Sequence, residues 1–231
     1  MSAALINHTV LDLAASQLRD VNAQLQDAGA GHFRIDNPQG AHALACGLKH
    51  DIEVEIAGHT GYFCAGMNQN ARITVKGNAG QGVAENMMSG EVRIAGDVSQ
   101  SAAATAHGGL LVIDGNAAAR CGISLKGADI VVKGNVGHMS MFMAQAGRLV
   151  VLGDAGDALG DSLYEARIYV RGAVKSLGSD CVEKPLEAEH KEELRALLDR
   201  AGCQDVQVDA FRRYGSARQL YHFNADNLAV Y

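Results

Sequence analysis

Apolar side chains come in pairs two residues apart, and the pairs recur at a fixed interval: Val54 and Ile56, Ile73 and Val75, Val92 and Ile94, Leu111 and Ile113, Ile130 and Val132, Leu149 and Val151, Ile168 and Val170. Each pair stands 19 residues after the last. Between the members lie Glu55, Thr74, Arg93, Val112, Val131, Val150 and Tyr169, a column read as mostly polar or small. Period-two alternation of β-branched residues predicts a short strand with one buried face. A chain with such a period is a repeat architecture, because each unit completes its core only on its neighbours.

A glycine closes every pair: Gly58, Gly77, Gly96, Gly115, Gly134, Gly153 and Gly172. Two residues further on come Thr60, Ala79, Val98, Ala117, Val136, Ala155 and Val174, which carry the inward alternation around a bend. Glycine accepts positive φ and close backbone approach, so these positions are expected to be the corners of a tight coil. The residue after each glycine is His59, Asn78, Asp97, Asn116, Asn135, Asp154 or Ala173. If turns stack in register at roughly 4.8 Å, Asn78, Asp97, Asn116, Asn135 and Asp154 form a ladder of amides and carboxylates passing hydrogen bonds along the stack.

A leucine-rich repeat would need leucines at fixed offsets and a helical return, and the calcium-binding nonapeptide repeat would need Gly-Gly-x-Gly-x-Asp; neither is present. The reading is all-β: a right-handed parallel β-helix of about seven 19-residue turns with capping helices at both ends, the hand following from the crossover rule. Residues 1–32 are expected to form an N-terminal cap whose helix starts at Asp12, presents Ala14, Leu18, Val21 and Leu25, and stops at Gly29. Residues 33–185 are the β-helix, with an irregular first turn in which Asn37 takes the glycine position. Residues 186–231 hold a second capping helix with Leu194, Leu197, Leu198 and Ala201 on one face, stopped by Gly202. An aromatic tail containing Phe211, Tyr214, Tyr221, Phe223 and Tyr231 follows, expected along that helix or against a partner.

The chain has 231 residues, enough for this solenoid and no second catalytic domain. Its formal charge of −6 is spread along the sequence and excludes the basic footprint of a nucleic-acid binder. Five cysteines without a C-x-x-C pair, and no secretory signal, point to a cytoplasmic protein with free thiols. Cys64 and Cys121 share a column three units apart, too far to bridge.

Catalytic constellations are not evident. Nine histidines are scattered without metal spacing, with His107 and His138 the ones expected to face something functional. The G-x-x-G-x-G run from Gly77 to Gly82 recurs as corners in every turn instead of opening one helix, so dinucleotide binding is set aside. A glycan-active β-helix would need an aromatic groove, and the chain has no tryptophan. Methionine concentrates on the return segments, at Asn86-Met-Met-Ser and His138-Met-Ser-Met-Phe-Met143. Such a cluster is either core filler or an adaptable partner surface. Met87, Met88, Met139, Met141, Phe142 and Met143, with Tyr214, Tyr221 and Phe223 from the tail, are the candidate interface.

The strand followed by Gly, Asn or Asp, any residue and Gly, as in Val75-Lys-Gly-Asn-Ala-Gly80 and Val132-Lys-Gly-Asn-Val-Gly137, resembles the GXGXG domain, the β-helix ending the glutamate synthase large subunit. The resemblance covers roughly residues 33–185 and extends to one of the subunits of formylmethanofuran dehydrogenase. It implies a scaffold without catalytic, metal or cofactor-binding residues of its own. Gly61-Tyr-Phe-Cys-Ala-Gly-Met-Asn68 and Thr105-Ala-His-Gly-Gly109 are most similar to the separate GXGXG subunit of N-methylglutamate synthase, the methylamine-glutamate N-methyltransferase. The implied partners are an amidotransferase-like subunit and a glutamate-synthase-like subunit carrying FMN and iron-sulfur clusters. A formylmethanofuran-type complex and an independent binding β-helix remain the alternatives.

Overall fold

The computed structural model describes residues 9–218. Nine parallel strands stack one per turn: β1 Thr9–Asp12, β2 Gly31–Asp36, β3 Ile52–Ile56, β4 Arg72–Val75, β5 Glu91–Ile94, β6 Leu110–Ile113, β7 Lys126–Val132, β8 Ala146–Val151 and β9 Arg167–Val170. From β3 onward the inward pairs align one above another, Val54 with Ile73, Ile73 with Val92 and so to Leu149 with Ile168. The column from Thr60 to Val174 forms a second line of parallel bridges. Apart from the half-buried Val174, these side chains are almost fully enclosed and line one continuous core along the rod. The first turn is longer by two residues, Ile35 pairing with Ile56, and Asn37 takes a left-handed φ of 53° in the glycine position.

The corner glycines owe their identity to crowding. Apart from Gly58, none of the seven has positive φ. A Cβ on Gly96 would lie 2.1 Å from Asn78 Oδ1 and 3.1 Å from the Gly77 backbone, and one on Gly172 would lie 2.3 Å from the Gly153 carbonyl oxygen.

Left-handed backbone is found instead on the return segments, in three columns spaced two residues apart. Phe63, Ala65 and Met67 have φ of 60°, 57° and 56°; Ser101, Ala103 and Thr105 have 61°, 52° and 56°; Met139, Met141 and Met143 have 55°, 63° and 52°. A non-glycine residue pays for this conformation with roughly 1 kcal/mol or more. Stacking offsets that cost by satisfying every amide in alternate directions. The Ala84 N–H reaches back to Cys64 O at 2.9 Å, and the Asn86 N–H reaches forward to Ala104 O at 2.9 Å. The same alternation repeats at Met141, which bonds back to Cys121 O, and Met143, which bonds forward to Asp161 O.

Both ends differ from the sequence expectation. Asp12 does not cap a helix: it ends β1, and its Oδ1 accepts the Ala14 N–H and Asn37 Nδ2, because pairing with β2 captures the chain there. Helix α1 is Leu18–Asp27, with Gln17 as N-cap and an extended Ala28 as C-cap in place of a left-handed Gly29. It buries Val21 and Leu25, and Asn22 and Gln26 donate to Ala43 O and Cys46 O of the first return segment.

Helix α2, Ala188–Arg200, is not an end cap. Leu194, Leu197, Leu198 and Ala201 pack on the outer face of the sheet against Val112, Val131, Val150 and Tyr169. The column Glu55, Thr74, Arg93 turns apolar at Val112 because the helix covers the sheet from β6 to β9. Ion pairs pin it. Arg148 makes a two-toothed contact with the buried Asp129, which also accepts Arg200 Nη1 at 3.1 Å; Glu193 of the helix accepts Arg148, Arg167 and the Tyr169 hydroxyl. Burial and that carboxylate push the Tyr169 phenol well above its ordinary pKa.

The end of the sheet is closed by the returning tail. Beyond a 3₁₀ turn at Val208–Ala210, strand β11, Arg212–Ser216, inserts antiparallel between β9 and β10, Cys181–Lys184. The final parallel strand would otherwise expose a row of unpaired backbone groups. The tail supplies the missing strand.

Candidate functional site

The corner column forms a continuous ladder, but its bonds run from side chain to main chain. His59 Nδ1 accepts the Asn78 N–H at 2.9 Å, Asn78 Oδ1 the Asp97 N–H at 3.0 Å, Asp97 Oδ1 the Asn116 N–H at 2.7 Å, Asn116 Oδ1 the Asn135 N–H at 2.9 Å, and Asn135 Oδ1 the Asp154 N–H at 2.7 Å. Asp154 Oδ1 ends the run on the Ala173 N–H at 2.7 Å. Side chain meets side chain once, where Asn116 Nδ2 donates to Asp97 Oδ1. Only an acceptor is needed at each level, which is why Asp, Asn and a histidine nitrogen interchange along the column. The ladder stiffens the rod and leaves its acceptors engaged.

The candidate interface divides when the side chains are placed. Met87 and Met141 are fully enclosed and Tyr214 is 2% exposed, so these three belong to the core and not to a partner surface. The reason at Met141 is the column it occupies: Gly122 and Gly160 flank it one turn to either side, and its thioether fills the space they leave. Tyr214 points inward from β11 against Ile168 of β9. Met139 and Phe142 are half-buried, Met88 and Met143 are exposed, and Tyr221 and Phe223 lie outside the described residues.

The larger exposed apolar island holds one expected interface residue, Met88, and three that were not anticipated. Tyr62, Phe63 and Met67 are 51%, 44% and 54% exposed on one return segment, with Met88 beside them through its N–H bond to Asn68 O. The Tyr62 ring stacks on His42 at 4.5 Å between centroids and meets Phe63 edge-on, and the Phe63 ring roofs Gly82. The Tyr62 column elsewhere holds Gln81, Gln100, Ala119, His138 and Asp157, and the Met67 column holds Asn86, Thr105, Ser124 and Ser162 besides Met143. A large apolar residue in a column that is elsewhere mostly small or polar is the signal that would have found them. A smaller apolar island lies around Met143, beside half-buried Met139 and Phe142; Met67 and Met143 share a column four turns apart, which separates the two islands by roughly 19 Å at the usual strand spacing.

Among the described residues, no three His, Cys, Asp or Glu side chains converge as a metal site, and His107 and His138 are both exposed in separate columns. All five thiols are free. Burial pushes Cys64 and Cys121 up to about 12, so both stay protonated near neutrality, where only a thiolate would react. Alkylation of the native protein at mildly alkaline pH is expected to leave Cys64 and Cys121 unmodified by mass spectrometry, and denaturant should make both react. Clefts lie on the outer sheet face, one lined by Glu53, Arg72, Glu91 and Arg93 on its open half and one of about 400 Å³ between α2 and the β10–β11 pair. No helix among the described residues is long and apolar enough to cross a membrane.

Comparison with known proteins agrees with this architecture. The chain is 58% identical over 226 residues to Protein GlxC of Rhizobium meliloti (strain 1021), an alignment covering 96% of this chain and 99% of the relative. The family described by the GXGXG motif matches residues 34–201, from β2 through α2. With that match spanning most of a rod whose corner glycines recur every turn, the chain belongs to the GXGXG family.

Proposed function

We propose that this chain is the non-catalytic scaffold of a glutamate-synthase-like complex of the N-methylglutamate synthase type, bracing an amidotransferase-like subunit and a subunit that carries FMN and iron-sulfur clusters. The carrying observation is a rod of in-register turns with an apolar island at Tyr62, Phe63, Met67 and Met88 and a smaller one four turns on, where Met143 is exposed beside half-buried Met139 and Phe142. Rigid stacking fixes the separation of whatever sits on those islands, and fixed separation matters when a reactive amine must pass between two centres. Adaptable methionine and aromatic side chains suit protein contact.

Purification of the tagged chain from its native cell tests this directly. An amidotransferase-like chain and a flavin-absorbing chain should co-purify; elution of the chain alone would sink the reading, and a pterin-metal partner would favour the formylmethanofuran-type complex. Combining Tyr62→Asp, Met67→Asn and Met88→Asp should weaken partner binding by about 2 kcal/mol or more, as loss of an interface anchor does. The melting temperature of the rod should stay unchanged, since all three side chains are exposed.

A further inference from the structure

Beside α2, the last strands of the sheet hold two cations that no carboxylate pairs with among the described residues. β10 and β11 pair so that Lys184 lies directly opposite Arg213, and both line the cleft of about 400 Å³. Like charges opposed across neighbouring strands destabilise a sheet. Arg213 donates Nε to Pro185 O at 2.8 Å, and neither residue has a carboxylate partner among the described residues. Arg167 and Arg218 stand on the same cleft but are already paired, with Glu193 and Glu165. Gly215 supplies the floor: it has no positive φ, and a Cβ there would meet only Lys184 Cγ, at 3.6 Å. His190 of α2 forms a wall, its Nδ1 accepting the Glu187 N–H at 3.2 Å, so a neutral ring keeps its proton on Nε2.

We propose that this cleft binds a small dicarboxylate, with Lys184 and Arg213 as its charge partners. Two cations without a carboxylate partner among the described residues call for two negative charges, and a guanidinium fork matches a carboxylate edge. A phosphate would be expected at the start of α2, where backbone amides point outward. That seat is filled, because the Glu187 carboxylate accepts the amide of His190 in a capping box. The ligand is therefore held by side chains on paired strands, over a floor with room for several carbon atoms.

The test uses the full chain and calorimetric titration with glutarate, and separately with inorganic phosphate, at constant ionic strength. Glutarate should bind saturably, Lys184→Gln and Arg213→Gln should each weaken it by about tenfold, the loss of one charge-assisted pair, and Gly215→Val should abolish it by filling the floor. Far-ultraviolet circular dichroism checks that the Gly215→Val rod is folded; should it not be, the two charge variants decide alone. The proposal is overturned if glutarate gives no saturable heat, if phosphate binds as well as glutarate, or if Lys184→Gln and Arg213→Gln bind like the parent.

Discussion

Met141→Asp is expected to abolish the cooperative unfolding transition of the rod, and Met141→Ala to lower its stability by about 2–5 kcal/mol, the usual cost of emptying a buried methionine site. Met141 is fully enclosed and fills a gap that Gly122 leaves, a Cβ on that glycine lying 2.6 Å from the Met141 sulfur. A carboxylate there has no partner, and burying one unpaired costs several kcal/mol more. The defect sits between β7 and β8, and a solenoid is stable only through contacts between neighbours, so the turns on either side are uncoupled. Met143→Asp is the control: two residues away and exposed, it should shift stability by no more than about 0.5 kcal/mol. Urea unfolding followed by circular dichroism reads all three, and a folded Met141→Asp protein of parental stability would show that the side chain faces outward.

A comparable loss is expected at the corners. Gly153→Ala would place a methyl 2.6 Å from the Gly134 carbonyl oxygen and 2.3 Å from Asn135 Oδ1. Neither atom can retreat cheaply, since Gly134 O accepts the Gly153 N–H at 3.0 Å and Asn135 Oδ1 accepts the Asp154 N–H at 2.7 Å. Separating the turns breaks both bonds, so the destabilisation should reach ~3 kcal/mol, the upper part of the overpacking range. Gly29→Ala provides the contrast. Nothing lies within 4 Å of a Cβ there and the backbone is not left-handed, so stability should hold or rise by about 0.4–1 kcal/mol through the unfolded chain. Equal stability of the Gly153→Ala and parental rods would mean that the turns are not packed as closely as their glycines indicate.

Legibility along the chain followed the range of the interactions concerned. The inward pairs from Val54 to Val170 announced the strands because each rung repeats one local pattern against an identical neighbour. The left-handed return segments carried no such mark. Alanine, serine, methionine and phenylalanine rarely adopt that backbone alone, and they do so here because the turns above and below accept and donate the alternating amides. Helix α2 was visible as a helix from its leucines, but its place was not. The clue lay in the column between the inward pairs, where Arg93 gives way to Val112, Val131 and Val150; by itself, an apolar residue in a strand does not say what covers it. Of the interface candidates, Met88 and Met143 are exposed while Met87 and Met141 are enclosed, although sequence neighbours share composition.

The amino-acid sequence alone determined the period, the number of regular turns, the corner positions and the family, because all of these depend on identical short contacts repeated at a spacing of 19 residues. Tertiary structure decided what occurs once. It laid α2 on the flank, threaded the tail as β11 between β9 and β10, turned Met141 and Tyr214 inward, and brought Lys184 against Arg213. Those contacts join segments far apart in the chain, and a feature that happens only once leaves no repeated pattern to read.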